Sequence, residues 1–313
     1  MATTLTPFSP SDLTGDPRRQ RRERAMGVVF FLAASMSVLV SALILVSLFS
    51  NGWDFISQVE WSRVVGVNSW NPRQNTYGIT TILAGSLIVT GVAMVVAVPL
   101  GLGGAVYLSE YAPPRARSLL KPILEVLAGV PSVVLGFFAL QWIAPNIVGT
   151  LFGDDKGNSG SMLAAGIGVG ILSIPLVASV SEDAMRAVPD ALRQASAGMG
   201  ARKLTTTTRV VLPAAVSGLV AAFILAVSRA IGETMVVFIA AGAVSTATFT
   251  TNPLDSGLTM TAAMASLASG TDQVRGASLA FPSLYFVGIA LFFFTLVLNI
   301  IGNAFVRRVR QAY

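Results

Sequence analysis

Six stretches of this sequence are long and apolar enough to cross a lipid bilayer as helices. The apolar core of a bilayer is about 30 Å thick and needs roughly 20 helical residues to span it. Charged residues make up only 12% of the chain, whereas a soluble domain carries about 25%. We therefore predict an all-α membrane protein with six transmembrane helices, over residues 25–49, 79–108, 123–143, 162–180, 212–242 and 282–306.

The residue types that are missing exclude several kinds of chemistry. The chain contains no Cys and no His, which excludes disulfide scaffolds, zinc sites built from Cys or His, and Ser-His-Asp triads. The sequence also has no G-x-x-x-x-G-K-[ST] loop, so the chain does not bind ATP through a Walker motif. We expect no catalytic residue, no metal ion and no cofactor.

The basic residues are distributed unevenly between the two sides of the predicted spans. Sixteen of the 21 Lys and Arg residues lie on the side that holds both termini, four lie on the other side, and Arg229 lies within a span. Because cytoplasmic loops carry such an excess of Lys and Arg, we predict that both termini are cytoplasmic. This bias accounts for the net charge of +6, so membrane lipid is the expected partner of these residues and nucleic acid is not.

The predicted spans divide the chain into segments. The first apolar run is longer than the roughly 7–15-residue core of a secretory signal, so we interpret it as an uncleaved anchor. The segments are a basic cytoplasmic N-terminal segment (1–24), the first transmembrane helix (25–49), an external loop (50–78), a core of five transmembrane helices (79–306) with a cytoplasmic loop (181–209), and a cytoplasmic tail (307–313).

Two external loops carry further signals. Trp53, Trp61 and Trp70 lie in the first external loop, where aromatic residues usually anchor a chain at the membrane interface. The same residues could instead dock an external partner, and both interpretations remain open. In the loop between the fifth and sixth spans, residues 258–269 predict a short helix.

Proline and glycine interrupt several of the predicted spans. Pro99, Pro131 and Pro175 lie inside the second, third and fourth spans, and each removes a helical hydrogen bond. The kinks could serve packing alone, or the spans could line a translocation path. The glycines of residues 166–170 have no strand before them and no Lys after them, so we predict close helix packing there rather than a phosphate loop.

The charged residues inside the predicted spans are the main candidates for a site. Arg229 and Glu233 are four residues apart, which predicts that they share one helix face as an ion pair. The pair could be structural, or Arg229 could bind an oxyanion through its planar fork of donors. Glu125 is a second acidic candidate, although its position also allows it to reach the cytoplasmic face near Lys121.

The segment between the fourth and fifth spans predicts a short amphipathic helix on the cytoplasmic side. It begins near Pro189 and ends at Gly200, a residue type that commonly terminates helices. A partner protein is the natural use of such an exposed helix. Its small and apolar stripe consists of Leu192, Ala195, Ser196 and Met199.

The same segment resembles a known signature. Gln194-Ala195-Ser196, Gly200 and Val210-x-Leu212-Pro213 match the spacing of the E-A-A-x3-G-x9-I-x-L-P signature of ABC importer permeases, with Gln194, Ser196 and Val210 as departures. The resemblance implies a type I ABC importer permease architecture, in which this loop forms a coupling helix that docks on an ATPase subunit. The residues that it implicates in coupling are Asp190, Leu192, Gln194, Ala195, Ser196, Met199 and Gly200.

Other motifs resemble those of the permeases of bacterial phosphate importers. Arg229-Ala-Ile-Gly-Glu233-Thr234 is similar to their R-A-I/L-G-E-T segment, and the Pro-Ser-Val-Val stretch that contains Ser132 is similar to their I/V-P-S-V-V segment. Met235 and the Trp-Asn-Pro stretch at residues 70–72 favour the C-type over the A-type subunit. The resulting candidates for the substrate path are Arg229, Glu233, Thr234, Ser132 and Glu125.

The resemblance also implies partners and a location. We expect a second phosphate permease subunit that completes a heterodimer, two ATP-binding subunits and an external phosphate-binding protein, in the bacterial inner membrane. Moving an anion into a negative interior costs about 2.3 kcal/mol per charge per 100 mV, so an importer needs an energy source that this chain lacks. We therefore expect a permease subunit for inorganic phosphate. A permease for sulfate or molybdate, and a secondary anion transporter, remain as alternatives.

Overall fold

The computed structural model describes residues 17–153, 155, 157, 160–242, 246–270 and 279–309, with backbone alone for 17–20 and 309. Most of the predicted N-terminal segment and the end of the tail therefore lie outside the described residues. The described part contains six helices that are long and apolar enough to cross a membrane, which confirms the predicted number. They are Arg21–Gln58, Ile79–Tyr111, Ser132–Phe152, Met162–Arg186, Lys203–Ile231 and Ala280–Arg308, and are called the first to sixth spans below.

The chain forms two compact units, residues 1–50 and 51–313, which are described separately. The first unit contains most of the first helix, Pro17–Gln58, which extends beyond the predicted 25–49 at both ends. Its side chains are largely exposed, and Phe31 and Val38 are 71% and 70% exposed. A helix that is apolar on all sides is suited to contact with lipid.

The second and fourth spans pack closely against each other in the second unit. A Cβ atom built at Gly166 would lie 2.6 Å from the Cβ atom of Val92, and one built at Gly170 would lie 2.8 Å from that of Val96. A Cβ atom built at Gly101 would lie 2.6 Å from the Cβ atom of Val177. These distances confirm the predicted close packing at residues 166–170, because small residues let the backbones of two spans approach.

The third span differs from its predicted bounds of 123–143. An amphipathic helix, Pro114–Ala128, precedes it and has no buried residue; we call this the connecting helix. The chain then leaves helical geometry at Val130 and Pro131, and the span itself begins at Ser132. Hydropathy alone merged the two helices, whereas proline disfavours helical geometry in the residue before it. Glu125 is therefore outside the spans, and Pro131 precedes the third span instead of interrupting it.

The fifth span also differs from its predicted bounds of 212–242, and it begins earlier, at Lys203. It ends at Ile231, and a separate short helix, Met235–Ala240, follows the non-helical residues 232–234. By contrast, Pro99 and Pro175 lie inside helices as predicted. The break after Ile231 separates Arg229 from Glu233, so the expectation that both share one helix face is wrong.

A small sheet joins the loop before the second span to the loop between the fifth and sixth spans. Its strands are β1 (Ser69–Asn71), β2 (Thr76–Tyr77) and β3 (Ala247–Thr248), in the antiparallel order β2-β1-β3. Strands of two or three residues leave no pattern that a sequence could reveal. The predicted short helix at 258–269 is confirmed as Met260–Ala268.

The three tryptophans of the predicted first loop have different environments, and Trp53 lies in the first helix. Trp70 is fully buried and packs edge-on against Tyr77, with ring centroids 6.2 Å apart, so its role is to form the core under the sheet. Trp53 and Trp61 are 65% and 49% exposed, and anchoring or partner docking stays a prediction for these two. Burial raises the pKa of the Tyr77 hydroxyl, and the nearby positive charge of Arg63 offsets only part of this increase.

We predict that the contact between the second and fourth spans is sensitive to a single methyl group. Gly166→Ala should destabilise the folded chain by about 1–3 kcal/mol, because the new Cβ meets the Cβ of Val92, which cannot move without its backbone. Thermal unfolding in detergent provides the measurement. Gly91→Ala is the matched control, since no heavy atom of the described residues lies within 4 Å of its added Cβ; equal melting temperatures for both variants would contradict this account.

Candidate functional site

A cavity of about 220 Å³ brings Arg229 together with residues of the connecting helix and the fourth span. Arg229 lies near the end of the fifth span, and Lys121 and Glu125 lie one helical turn apart on the connecting helix. Two predicted site residues, Arg229 and Glu125, therefore line the same cavity. The other lining residues are Leu124, Ala128, Leu172, Pro175, Leu176, Ser179 and Glu182.

Glu233 has a different role from the predicted counter-charge of Arg229. Its carboxylate accepts a hydrogen bond of 3.3 Å from the backbone N–H of Val236, in the first turn of the short helix Met235–Ala240. Its backbone carbonyl accepts a hydrogen bond of 2.8 Å from Thr261. Among the described residues, no ion pair joins Arg229 to Glu233. The predicted intrahelical pair is therefore wrong, and Arg229 lines the cavity without it.

The other two candidates for the substrate path lie outside the Arg229 cavity. Thr234 lines a second cavity of about 420 Å³ together with Gly232 and Thr261. Ser132 begins the third span, whose Gly136 packs against the short helix: a Cβ at Gly136 would lie 3.1 Å from the carbonyl oxygen of Met235. The two motifs that contain Ser132 and Thr234 are therefore neighbours, but these two side chains do not share the Arg229 cavity.

A buried carboxylate at the end of the fourth span was not found by sequence reasoning. Glu182 is only 1% exposed, and its oxygens lie 3.8 Å from Arg117 Nε, 3.6 Å from Lys121 Nζ and 3.6 Å from an Arg186 guanidinium nitrogen. The predicted fourth span ended at residue 180, which left Glu182 in a loop. The available signal was the spacing of four residues between Arg117 and Lys121, and again between Glu182 and Arg186.

The predicted amphipathic helix between the fourth and fifth spans is confirmed as Asp190–Gly198, and we call it the coupling helix. Gly200 follows it with a φ of 75°, a conformation that glycine adopts without a steric penalty. The N–H groups of Gly200 and Ala201 donate to the carbonyls of Ala197 and Ser196, at 2.9 and 3.1 Å. The predicted end of the helix at Gly200 is thus confirmed.

The predicted stripe of the coupling helix divides between two environments. Leu192 is half-buried against a cluster that contains Met185 and Val211, and the hydroxyl of Ser196 lies 2.9 Å from that of Thr206. Met199 is 89% exposed. Leu192 and Ser196 therefore fix the helix to its own chain. The other residues implicated in coupling are exposed: Asp190, Gln194, Ala195, Met199 and Gly200.

Arg193 is the main anchor of the coupling helix, and sequence reasoning did not select it. Its guanidinium donates to the carbonyls of Val188 and Met185 at 2.6 and 2.8 Å. It also pairs with Glu110, at the end of the second span, at 3.0 Å, and with Asp190 at 3.2 Å. The side chains of Arg193 and Glu110 are only 21% and 7% exposed. One guanidinium thus connects the coupling helix to the ends of the second and fourth spans.

These features define a class of protein. Six apolar spans, a charged cavity and an exposed helix between two spans are the features of a membrane transport subunit that docks a partner. The family of binding-protein-dependent transport system inner membrane components matches residues 97–311. The chain belongs to this family. It is therefore a multi-pass membrane component of an ABC transporter, which works with ATP-binding subunits and another permease subunit and is not itself a catalytic enzyme.

Similar proteins support this assignment. The chain is 32% identical over 286 residues to a Mycobacterium tuberculosis protein named phosphate transport system permease protein PstC 1, and the alignment covers 83% of both chains. It is 35% identical over 195 residues to the Bacillus subtilis protein named probable ABC transporter permease protein YqgH, with 62% of each chain covered. The crystal structure of a bacterial ABC transporter involved in alginate import has the same fold, with a TM-score of 0.62, 13% identity, and 93% and 100% of the two chains covered.

We predict that Arg193 holds the coupling helix in place. Arg193→Ala should destabilise the contact by about 2–3 kcal/mol, since it removes several charge-assisted hydrogen bonds from a largely buried position. Hydrogen exchange of the assembled complex measures the effect, and amides of residues 185–200 should exchange faster. The control is Arg202→Ala, which removes an exposed charge from the same loop; equal exchange in both variants would refute the anchoring role.

Proposed function

We propose that this chain is the C-type permease subunit of an ATP-driven importer that carries inorganic phosphate into the cytoplasm. The observation that carries the proposal is the cavity that both Arg229 and Lys121 line, in which Arg229 forms no ion pair with Glu233. Arginine suits tetrahedral oxyanions because its planar fork forms bidentate hydrogen bonds. The relative named PstC 1 aligns over most of the chain, which favours phosphate and the C-type subunit.

The proposed assembly contains several partners. A second phosphate permease subunit forms a heterodimer with this chain, two ATP-binding subunits dock beneath it, and an external phosphate-binding protein delivers the substrate. Both termini lie in the cytoplasm, and the complex resides in the bacterial inner membrane. The excess of Lys and Arg on the side of the connecting and coupling helices supports this orientation.

The proposed contact with the ATPase uses the outward side of the coupling helix. Asp190, Gln194, Ala195 and Met199 are exposed there. Leu192 and Ser196 hold the helix in position from within, and Gly200 ends it. ATP hydrolysis takes place in the partner subunits and moves this helix. Because Arg193 ties the helix to the second and fourth spans, the movement reaches the walls of the Arg229 cavity.

Uptake by a reconstituted complex tests the proposed function. We expect vesicles that contain the complex, with ATP on the side of the ATPase subunits, to take up labelled phosphate from the binding-protein side. Uptake without ATP would instead support a secondary anion transporter. Transport of sulfate or molybdate in place of phosphate would support the permease for another oxyanion, and would contradict the proposed substrate.

We predict that the guanidinium of Arg229 is required for transport. Arg229→Lys keeps the charge but loses the fork of donors, so uptake should fall by about tenfold or more while assembly of the complex is unchanged. Arg209→Lys makes the same chemical change near the start of the fifth span, at a residue that does not line the Arg229 cavity, and should transport normally. Normal uptake by the Arg229 variant would rule out a role for its guanidinium in the substrate path.

A further inference from the structure

A third cavity, which we call the outer cavity, adjoins the Arg229 cavity at the end of the spans where the connecting helix lies. It has a volume of about 420 Å³, and Arg117, Lys121, Glu125 and Arg186 are among the residues that line it. Lys121 and Glu125 line both cavities. Cationic residues therefore line both cavities in sequence: Arg229 lines the first, Lys121 lines both, and Arg117 and Arg186 line the outer cavity.

The carboxylate of Glu182 lies among the three outer cations without a hydrogen bond to any of them. The nitrogen–oxygen distances of 3.6–3.8 Å exceed those of a hydrogen bond, which are about 2.7–3.2 Å. Glu182 Oε1 is buried and has no hydrogen-bond partner among the described residues. A buried acceptor without a donor is energetically unfavourable, so this atom has an unused capacity to bind a hydrogen-bond donor.

The charge of the cluster favours an anion that also carries a proton. Arg117, Lys121 and Arg186 surround the buried carboxylate of Glu182, whereas the other two acids near Lys121, Glu125 and Asp183, are exposed, so that solvent screens their charges. The guanidinium of Arg117 is directed by hydrogen bonds to the carbonyls of Leu108 and Ser109. The cationic excess attracts an oxyanion, whereas Glu182 offers an acceptor that a fully deprotonated oxyanion cannot use.

We propose that Arg117, Lys121 and Arg186 form, around Glu182, an exit site for inorganic phosphate that leaves the Arg229 cavity. This inference rests on the proposed function. Inorganic phosphate keeps at least one O–H group near neutral pH, which donates to Glu182 while the other oxygens face the three cations. Glu182 also reduces the net positive charge, so that phosphate is released instead of being retained.

The same chemistry distinguishes free phosphate from other anions at this site. Sulfate and the phosphodiester of a lipid headgroup carry no O–H group near neutral pH, so each places an oxyanion beside the carboxylate of Glu182 with no compensating hydrogen bond. The link to the Arg229 cavity through Lys121 and Glu125 also favours a transported ion over a bound lipid. Glu182 is thus a specificity-determining residue for protonated tetrahedral oxyanions.

Binding of labelled inorganic phosphate to the assembled complex tests the site. In neutral-lipid nanodiscs without ATP, Arg186→Gln should weaken phosphate binding by about tenfold, because it removes a charged donor. Arg115→Gln removes the same charge from the connecting helix at an exposed position that lines neither cavity and should bind normally. Equal phosphate binding by the two variants overturns the exit site. If Arg186→Gln binds phosphate normally but loses co-purified anionic lipid, the cations hold a lipid headgroup instead, and the exit site is overturned as well.

Glu182→Gln tests the role of Glu182 through competition between sulfate and phosphate, which a purely structural role of Glu182 would not change. The added amide can donate to sulfate, so sulfate in large excess should displace phosphate from this variant and not from the wild type. An unchanged resistance to sulfate would overturn the role of Glu182 in specificity. If Glu182→Gln fails to assemble, Glu182→Asp provides the second variant; it retains the acceptor and should keep its resistance to sulfate, and sulfate sensitivity would count against the proposal.

The two proposals fail in different ways. If the wild-type complex does not take up phosphate with ATP, the proposed function is wrong. If it takes up phosphate but Arg186→Gln and Arg115→Gln bind phosphate equally, only the exit site is wrong.

Discussion

The close packing of the second and fourth spans is the contact on which the rest of the site depends. Helices in lipid gain little from apolar burial against each other, so close backbone approach through small residues holds them together. Gly101, Gly166 and Gly170 provide that approach, with valine side chains fitted against them. This contact fixes the positions of Glu110 and Glu182, which lie at the neighbouring ends of the two spans.

The charges at those ends attach two further helices to the paired spans. Arg193 of the coupling helix binds Glu110 of the second span, the carbonyl of Met185 at the end of the fourth span, and the carbonyl of Val188 just after it. Arg117 of the connecting helix donates to the carbonyls of Leu108 and Ser109 and faces Glu182. On the proposed function, one rigid body therefore carries both the ATPase docking helix and one wall of the anion path.

The sequence predicted those parts of the fold that depend on composition and local spacing. Six spans, the coupling helix and its end at Gly200 follow from long apolar runs and from one glycine, and all three are confirmed. The bounds of the third and fifth spans were wrong because hydropathy does not detect short non-helical breaks between two apolar helices. The breaks at residues 129–131 and 232–234 depend on local backbone geometry instead.

The site was predicted only in part because its residues meet through tertiary packing. Arg229 and Glu125 were selected as isolated charges, and the structure places them on one cavity. The partner of Arg193 is Glu110, which lies 83 residues away in sequence, and no periodic pattern reveals a contact of that kind. Glu182 was missed because two adjacent acidic residues after an apolar run, Glu182 and Asp183, look like the start of a loop.

A disulfide between the second and fourth spans tests most directly whether the two move as one body. The chain has no cysteine, and a Cβ at Gly104 would lie 3.9 Å from that of Ala178, within the range of about 3.5–4.5 Å that a disulfide requires. We expect the oxidised double variant, Gly104→Cys with Ala178→Cys, to import phosphate at the rate of its reduced form. Loss of ATP-driven uptake on oxidation, restored by reduction, would contradict the account.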